Sequence, residues 1–164
     1  KRFMGKVNIR GDVGDATFAT AAEQVLGTAL PTKPNTVTQT DSFTVFWLGP
    51  DEWLIHCPVD TQMSLVVALQ AAFTGHHAAI TDVTDYFVMI EMRGEMARDV
   101  LARACPLDLH ERNFKPGQCA QSYFANASIL LHQVDEGAYD IQVRWTYAQY
   151  LWDYLSQSAE QMVA

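Results

Sequence analysis

The spacing of hydrophobic residues changes several times along the chain, and each change marks a new predicted element. Residues 6–10 alternate polar and apolar side chains, which predicts a first β-strand that starts just after Gly5. Apolar residues at helical spacing follow, and Asp15 before them and Gly27 after them are typical helix-capping residues. The apolar stripe of this helix consists of Phe18, Ala22, Val25 and Leu26. The chain is therefore predicted to open with a strand and an amphipathic helix.

The rest of the N-terminal half is predicted to form a hairpin, a second helix and another strand. Residues 43–48 and 53–57 are apolar strands, and the Gly-Pro-Asp-Glu sequence at 49–52 is a turn that joins them. Residues 62–73 predict a helix that is apolar nearly all round its middle, so we expect this helix to be well buried. Residues 78–83 predict the last strand. This order of elements is that of a ferredoxin-like plait.

The C-terminal half begins with the same order of elements and ends with a helix. The predicted elements are a strand over 86–92, a helix over 95–104, an irregular segment over 106–117, and strands over 119–124, 128–134 and 139–145. In the last strand, Trp145 is expected to share a face with Tyr139, Ile141 and Val143. Thr146 is expected to cap a final helix. The apolar stripe of this final helix is predicted to contain Tyr147, Tyr150, Leu151, Tyr154 and Leu155.

These patterns predict an α+β fold built from two related halves, approximately 5–84 and 86–160. Each half is interpreted as a βαββα(β) ferredoxin-like plait, and the two are expected to be fused around one shared core. No stretch is rich enough in Pro, Gly or Ser to act as a linker. We therefore predict a single domain over 1–164 with an internal pseudo-repeat.

Charge and apolar length limit the partners that the chain is expected to have. The formal net charge of −8 repels phosphate, which argues against nucleic acid and anionic membrane surfaces. The longest apolar runs, 65–69 and 86–90, are too short to span a bilayer. Residues 1–4 lead directly into a polar strand, so we expect no secretory leader.

The cysteines indicate a reducing compartment. Cys57, Cys105 and Cys119 are odd in number and far apart, and no CxxC pattern occurs. Neither a disulfide framework nor a zinc site is indicated, so buried reduced thiols and a cytoplasmic location are expected.

A search for catalytic patterns finds candidates, each with a simpler structural interpretation. Residues 11–14 have glycines at both ends, but Asp12 and Asp15 would repel a phosphate, so a plain turn is favoured. Asp82 and Asp85 stand at a strand end where a carboxylate could meet a ligand amine, although turn capping is the simpler role. Cys105 would be a nucleophile only beside a base, which the sequence does not place. We predict no catalytic, cofactor-binding or metal-binding residue.

One family nevertheless resembles this chain over most of its length, from about residue 10 to 155. The resemblance is to the gamma subunit of heterotetrameric sarcosine oxidase. It is carried by Pro34-Asn35-Thr36-Val37, Leu48-Gly49-Pro50-Asp51-Glu52-Trp53-Leu54, Cys105-Pro106-Leu107-Asp108-Leu109-His110, Phe114-Lys115-Pro116-Gly117, Cys119-Ala120-Gln121-Ser122 and Thr146-Tyr147-Ala148-Gln149-Tyr150-Leu151. The block that starts at Cys105, with its Phe-x-Pro-Gly sequel, is the most specific of these.

The resemblance implies a function within an assembly. Such oxidases demethylate sarcosine to glycine and hydrogen peroxide, and they pass the one-carbon unit to tetrahydrofolate. The alpha and beta subunits of the family hold NAD, FAD, FMN and the folate site, and the delta subunit holds zinc. The gamma subunit resembles the folate-binding domain of aminomethyltransferases and has no established catalytic residues. The implied role is to stabilise and orient the catalytic subunits.

Two features of the sequence suggest where partners would bind. The irregular segment 106–117 offers Leu107, Leu109 and Phe114 as apolar side chains beside His110. Trp152 falls outside the stripe of the last helix, and an exposed Trp is typical of an interface. Two alternatives remain open: a folate-dependent aminomethyltransferase-like or one-carbon-binding protein that uses Asp82 or Asp85, and a thiol enzyme built on Cys105.

Overall fold

The computed structural model describes residues 4–163, which form two compact units. The N-terminal unit ends at Thr84 and the C-terminal unit begins at Asp85. Residues 1–3, on which part of the expectation about a leader rests, lie outside the described residues.

The first helix has the two caps that its sequence predicts. The Oδ1 atom of Asp15 accepts a hydrogen bond from the backbone N–H of Thr17 at 2.9 Å. At the other end, Gly27 adopts the left-handed conformation with φ 68° and donates its N–H to the carbonyl of Glu23 at 2.8 Å. A left-handed residue after a helix favours glycine because a Cβ atom is disfavoured there. The predicted start and end of this helix are confirmed.

The elements of the N-terminal unit are β1 (Gly5–Arg10), α1 (Ala16–Leu26), β2 (Val37–Gln39), β3 (Thr44–Gly49), β4 (Glu52–Cys57), α2 (Gln62–Ala72) and β5 (Ala79–Asp82). Their strands form an antiparallel sheet in the order β2-β3-β4-β1-β5. The order β3-β4-β1-β5 is that of the predicted plait, and β2 adds a short edge strand. The ferredoxin-like interpretation of this half is confirmed.

Both helices of this unit pack on one face of its sheet. α1 buries Phe18, Ala22 and Leu26, and α2 buries Leu65, Val66 and Leu69, against β1 and β4. The prediction that α2 is well buried is wrong. Met63 and Val67 are 60% and 61% exposed, because a helix that lies on a sheet turns only one side toward it.

The elements of the C-terminal unit are β6 (Phe87–Arg93), α3 (Ala97–Ala102), β7 (Gln118–Phe124), β8 (Ala127–Asp135), β9 (Ala138–Arg144) and α4 (Ala148–Val163). Their antiparallel sheet has the order β6-β9-β8-β7. In the first half β1 pairs directly with β4, whereas here β9 lies between β6 and β8. The second half therefore departs from the plait order. In the first half the second helix, α2, precedes the last strand, whereas here the strands β7, β8 and β9 follow one another and the last helix, α4, comes after them.

The start of the last helix differs from its prediction. Residues Trp145–Tyr147 form a 3₁₀ turn, so Thr146 lies inside this turn and not at a helix cap. Trp145 falls outside β9 and is 62% exposed, instead of sharing the buried face of Tyr139, Ile141 and Val143. Within the predicted stripe of α4, Leu151 and Leu155 are buried. The tyrosines at 147, 150 and 154 are exposed.

Each unit contains its own cluster of buried apolar residues. In the C-terminal unit the cluster joins α3 and α4 to alternate residues of β8 and β9. The mixed α+β class with antiparallel sheets is confirmed. The single domain over 1–164, with one core shared by both halves, stays a prediction.

Candidate partner surface

The irregular segment 106–117 is held in place by hydrogen bonds at both ends. Oδ1 of Asp108 accepts the backbone N–H of His110 at 3.0 Å, and Oδ2 accepts a hydrogen bond from the side-chain amide of Asn113. These two bonds stabilise the carboxylate and lower the pKa of Asp108 below its ordinary value. At the far end, Oε1 of Gln118 accepts the N–H of Lys115 at 2.7 Å. The segment is therefore an ordered turn structure, although it contains no helix or strand.

Two of the predicted interface residues anchor this segment in the core of its own unit. Leu109 and Phe114 are 4% and 6% exposed and belong to the C-terminal cluster, and Leu107 packs against the cluster while partly buried. The structure thus brings the three apolar side chains together, but in the interior of the C-terminal unit and not on its surface. Their packing against the cluster fixes the backbone of the segment.

The other two predicted interface residues lie outside this cluster. His110 is exposed, and its Nδ1 atom accepts the backbone N–H of Arg112 at 3.2 Å. Trp152 is 55% exposed, which confirms that it lies outside the stripe of α4. Trp152 lines a shallow groove of about 370 Å³ with Ala148 and Gln149 of α4 and the residues Val88, Met89, Ile90 and Glu91 of β6. Of the predicted residues, His110 and Trp152 carry their side chains on the exterior of the unit.

An aromatic stretch at 145–154 carries further exposed side chains besides those of the predicted interface residues. Trp145, Tyr147, Tyr150, Trp152 and Tyr154 are all more than a third exposed. The rings of Tyr150 and Tyr154 pack edge to face at 6.2 Å, and Tyr154 contacts the buried Phe124 at 5.2 Å. Helical periodicity assigned the tyrosines to the core. Their hydroxyl groups were the available sign of a boundary position, since a buried hydroxyl needs a partner.

The candidate phosphate loop at 11–14 is a turn closed by a carboxylate. Oδ1 of Asp12 accepts the N–H of Gly14 at 2.8 Å, and its carbonyl accepts the N–H of Asp15 at 3.1 Å. The N–H group that would bind a phosphate there is used by the protein itself. The plain-turn interpretation is confirmed.

Of the two candidate carboxylates, Asp82 has a structural role, and the candidate thiols are buried. Oδ1 of Asp82 accepts the N–H of Thr84 at 2.9 Å, which is the turn capping expected of an Asp after a strand. Cys57, Cys105 and Cys119 are buried thiols, with no disulfide in the described part of the chain. Burial raises the pKa of Cys57. The Sγ atom of Cys105 lies 3.8 Å from the hydroxyl of Ser122, which is no general base.

A grouped set of metal ligands and a membrane-spanning helix are both absent from the described residues 4–163. Among them, no three His, Cys, Asp or Glu side chains are grouped so that they could hold a metal ion. No helix there combines the length and the apolar character needed to cross a bilayer.

The fold defines a class that solved structures share. The chain resembles the glycine cleavage system aminomethyltransferase T from Bartonella henselae, with a TM-score of 0.66 at 15% identity. The match covers 93% of this chain and 43% of the transferase chain. This similarity defines an α+β chain of the aminomethyltransferase fold.

Sequence comparison then gives the family: residues 10–161 match the sarcosine oxidase gamma subunit family, and the chain belongs to it. The gamma subunit from Corynebacterium sp. (strain P-1) is 32% identical over 99% of this chain and 81% of its own length. The Arthrobacter sp. gamma subunit is 32% identical over 87% of this chain and 69% of its own length. The heterotetrameric sarcosine oxidase from Corynebacterium sp. U-96, solved with pyrrole 2-carboxylate, contains a chain with a TM-score of 0.91 at 26% identity. That match covers 99% of this chain and 82% of the other.

Proposed function

We propose that this chain is the gamma subunit of a heterotetrameric sarcosine oxidase and that it acts through assembly, without catalysing a step itself. The observation that carries the proposal is the family match over 10–161, together with the similarity to a chain of a solved heterotetramer. The complex would convert sarcosine to glycine and hydrogen peroxide and pass the one-carbon unit to tetrahydrofolate. The partners would be alpha, beta and delta subunits.

The cofactors of the reaction are assigned to those partners. FAD, FMN and NAD each present phosphate groups, and the turn at 11–14 does not fit a phosphate because Asp12 fills it. Zinc needs several grouped ligands, and residues 4–163 offer none. We therefore propose that the partner subunits hold these cofactors.

The aromatic stretch at 145–154 supports a role in which this chain is held against larger subunits. Tyr and Trp are enriched in interfaces, and exposed Trp side chains are frequent hot spots. A permanent interface commonly buries more than about 2,000 Å² in total, so one groove at Trp152 would form only part of it. The ordered segment 106–117, with the exposed His110, is proposed as a second part. A cytoplasmic location agrees with the buried thiols.

Co-expression tests the proposed function directly. The chain carries an affinity tag and is produced with and without alpha, beta and delta subunits of a related oxidase. We expect stoichiometric co-purification and sarcosine-dependent peroxide release from the complex, and neither glycine nor peroxide from the isolated chain. Oxidation of an N-methyl amine by the isolated chain would refute the proposal, as would failure of the chain to associate.

The groove at Trp152 is tested in the same complex. Trp152→Ala removes an exposed hot-spot side chain, and we expect the affinity for the partners to fall roughly thirtyfold. Tyr123→Ala is the control, since Tyr123 is similarly exposed at 59% but lies on β7. Equal losses in both variants, or no loss in Trp152→Ala, would remove this groove from the interface.

A further inference from the structure

The two helices of the N-terminal unit form an outer layer with almost no charge. α1 and α2 have 11 residues each, and Glu23 is the one ionisable residue among them. The charge-free stretch continues past α2, because residues 61–81 contain no Asp, Glu, Lys or Arg. The helices lie side by side on one face of the sheet, with the rings of Phe18 and Phe73 at 4.5 Å. Their outward sides therefore belong to one continuous surface.

This surface exposes apolar and small side chains where a water-facing helix normally carries charge. We define the uncharged helical face as Thr17 and Thr20 of α1 with Met63, Val67, Ala68 and Ala71 of α2. Met63 and Val67 are 60% and 61% exposed and one helical turn apart. The alanines beside them would let another backbone approach closely, since interhelical distance depends on side-chain size. Loss of charged residues is the compositional mark of an interface core.

Charge and area together decide what covers this face. A second copy of the chain would bring a net charge of −8 against another −8, which opposes self-association. Each 11-residue helix is about 16 Å long, so two adjacent helices present roughly 300 Å² of flat area. A stable interface buries about 800 Å² on each partner. The face is too small to hold two copies together, and it suits one part of a larger interface.

We propose that the uncharged helical face packs against an uncharged, apolar surface of one of the larger subunits of the oxidase. This inference rests on the proposed function and adds a further contact region to it, in the unit that does not contain Trp152. An uncharged partner surface is required because a charge buried there would have no opposite charge to pair with.

Paired substitutions of opposite charge test this proposal in the co-expressed complex. Val67→Glu and Val67→Lys each place a charge in the middle of the face. Because burying an unpaired charge of either sign is unfavourable, we expect both variants to weaken co-purification with the partner subunits at least about tenfold. Val67 is well exposed in this chain, so the thermal midpoint of the purified full-length chain should stay close to that of the wild type. Val134→Glu, at a 42% exposed position of β8, is the matched control and should assemble normally.

The outcomes separate the inference from the proposed function. Normal assembly of both Val67 variants beside an assembling wild type would overturn the inference and leave the function intact. Weakened co-purification of only one of the two Val67 variants would also overturn the inference, because the partner surface would then be charged. A wild-type chain that fails to associate would remove both proposals. A dimer of the isolated chain by light scattering, broken by Val67→Glu, would assign the face to a second copy and contradict the proposal.

Discussion

Asp15 links the start of α1 to residues on both sides of it. Its Oδ1 atom accepts the hydroxyl of Thr17 at 2.6 Å as well as the backbone N–H of that residue, and its Oδ2 atom lies 3.3 Å from Nδ1 of His76. The bonds from Thr17, followed by His76, favour the carboxylate and lower the pKa of Asp15. His76 thus joins the segment that follows α2 to the cap of α1.

The lowered pKa of Asp15 predicts a specific dependence of stability on pH. The folded-state pKa lies below the unfolded value of about 3.9, so the stabilisation is complete above about pH 5. It is lost as the pH falls through the folded-state pKa. Asp15→Asn keeps a capping oxygen but no charge, so we expect its thermal midpoint to be below that of the wild type at pH 7. This difference should shrink as the pH falls from 5 to 3.

The control for this prediction neutralises a carboxylate that is not at the start of α1. Asp41→Asn changes the net charge equally at an exposed turn position, and its thermal midpoint should follow that of the wild type more closely at pH 7. Circular dichroism melts at each pH provide the measurement. A constant difference between Asp15→Asn and wild type across this range would contradict the assignment.

Two glycines at the ends of elements adopt similar left-handed conformations in different surroundings. Gly27 after α1 has φ 68°, and a Cβ atom there would meet nothing within 4 Å. Gly137, in the turn between β8 and β9, has φ 63°, and a Cβ atom would lie 2.8 Å from the carbonyl oxygen of Gly94. Gly94 also donates its N–H to the carbonyl of Gly137 at 3.0 Å. The close approach of these two backbones fixes where β6 ends beside the hairpin.

Alanine at the two positions should separate conformational strain from steric overlap. Gly27→Ala is expected to lower the free energy of unfolding by about 1–2 kcal/mol, from the left-handed conformation alone. Gly137→Ala carries the same strain and must also displace the Gly94 backbone, which adds about 1–3 kcal/mol. Urea unfolding of the purified variants measures both values. An equal loss of unfolding free energy at the two positions would mean that the Gly94 backbone moves away from the added Cβ atom without an energetic penalty.

The segment 106–117 combines buried anchors with exposed positions, and the two kinds of residue should respond differently to truncation. Phe114→Ala removes a ring from the C-terminal cluster and is expected to cost about 3–5 kcal/mol of unfolding free energy. His110→Ala removes an exposed side chain and should change stability by less than about 0.5 kcal/mol. Denaturant unfolding of the isolated chain is the measurement. A stable Phe114→Ala chain that no longer joined the complex would instead place Phe114 at the partner interface.

Local signals explain which elements were predicted well. Asp15 and Gly27 act through neighbours in sequence, so the limits of α1 follow from the sequence alone. The exposure of Val67 and the insertion of β9 between β6 and β8 depend on residues far along the chain. Periodicity shows that a helix is apolar, but it does not show which side meets the sheet. Periodicity therefore predicted the exposure of Trp152, which lies off the apolar stripe of α4, but it wrongly assigned the exposed tyrosines of that stripe to the core.

At the scale of the whole chain, the acidic character opposes the alternative of a folate-binding protein, and so does the hydrogen bond that Asp82 already accepts. Asp82, which with Asp85 was one of the two candidates for holding the carrier, already accepts the N–H of Thr84. Reduced folates carry carboxylates in their glutamate tail, and the net charge of −8 repels them. The aminomethyltransferase similarity at 15% identity concerns the fold, and a fold alone does not determine a binding site.

Calorimetry with tetrahydrofolate tests this alternative. We expect no saturable heat when tetrahydrofolate is titrated into the isolated chain at micromolar concentrations, and saturable binding when it is titrated into the co-expressed complex. Asp82→Asn should leave the behaviour of the complex unchanged, because the amide oxygen still caps the turn and the folate site is assigned to a partner subunit. Micromolar binding by the isolated chain that Asp82→Asn abolished would identify Asp82 as a ligand-binding residue. It would also show that the fold has kept a one-carbon site of its own, so that assembly would no longer be a sufficient account of the chain.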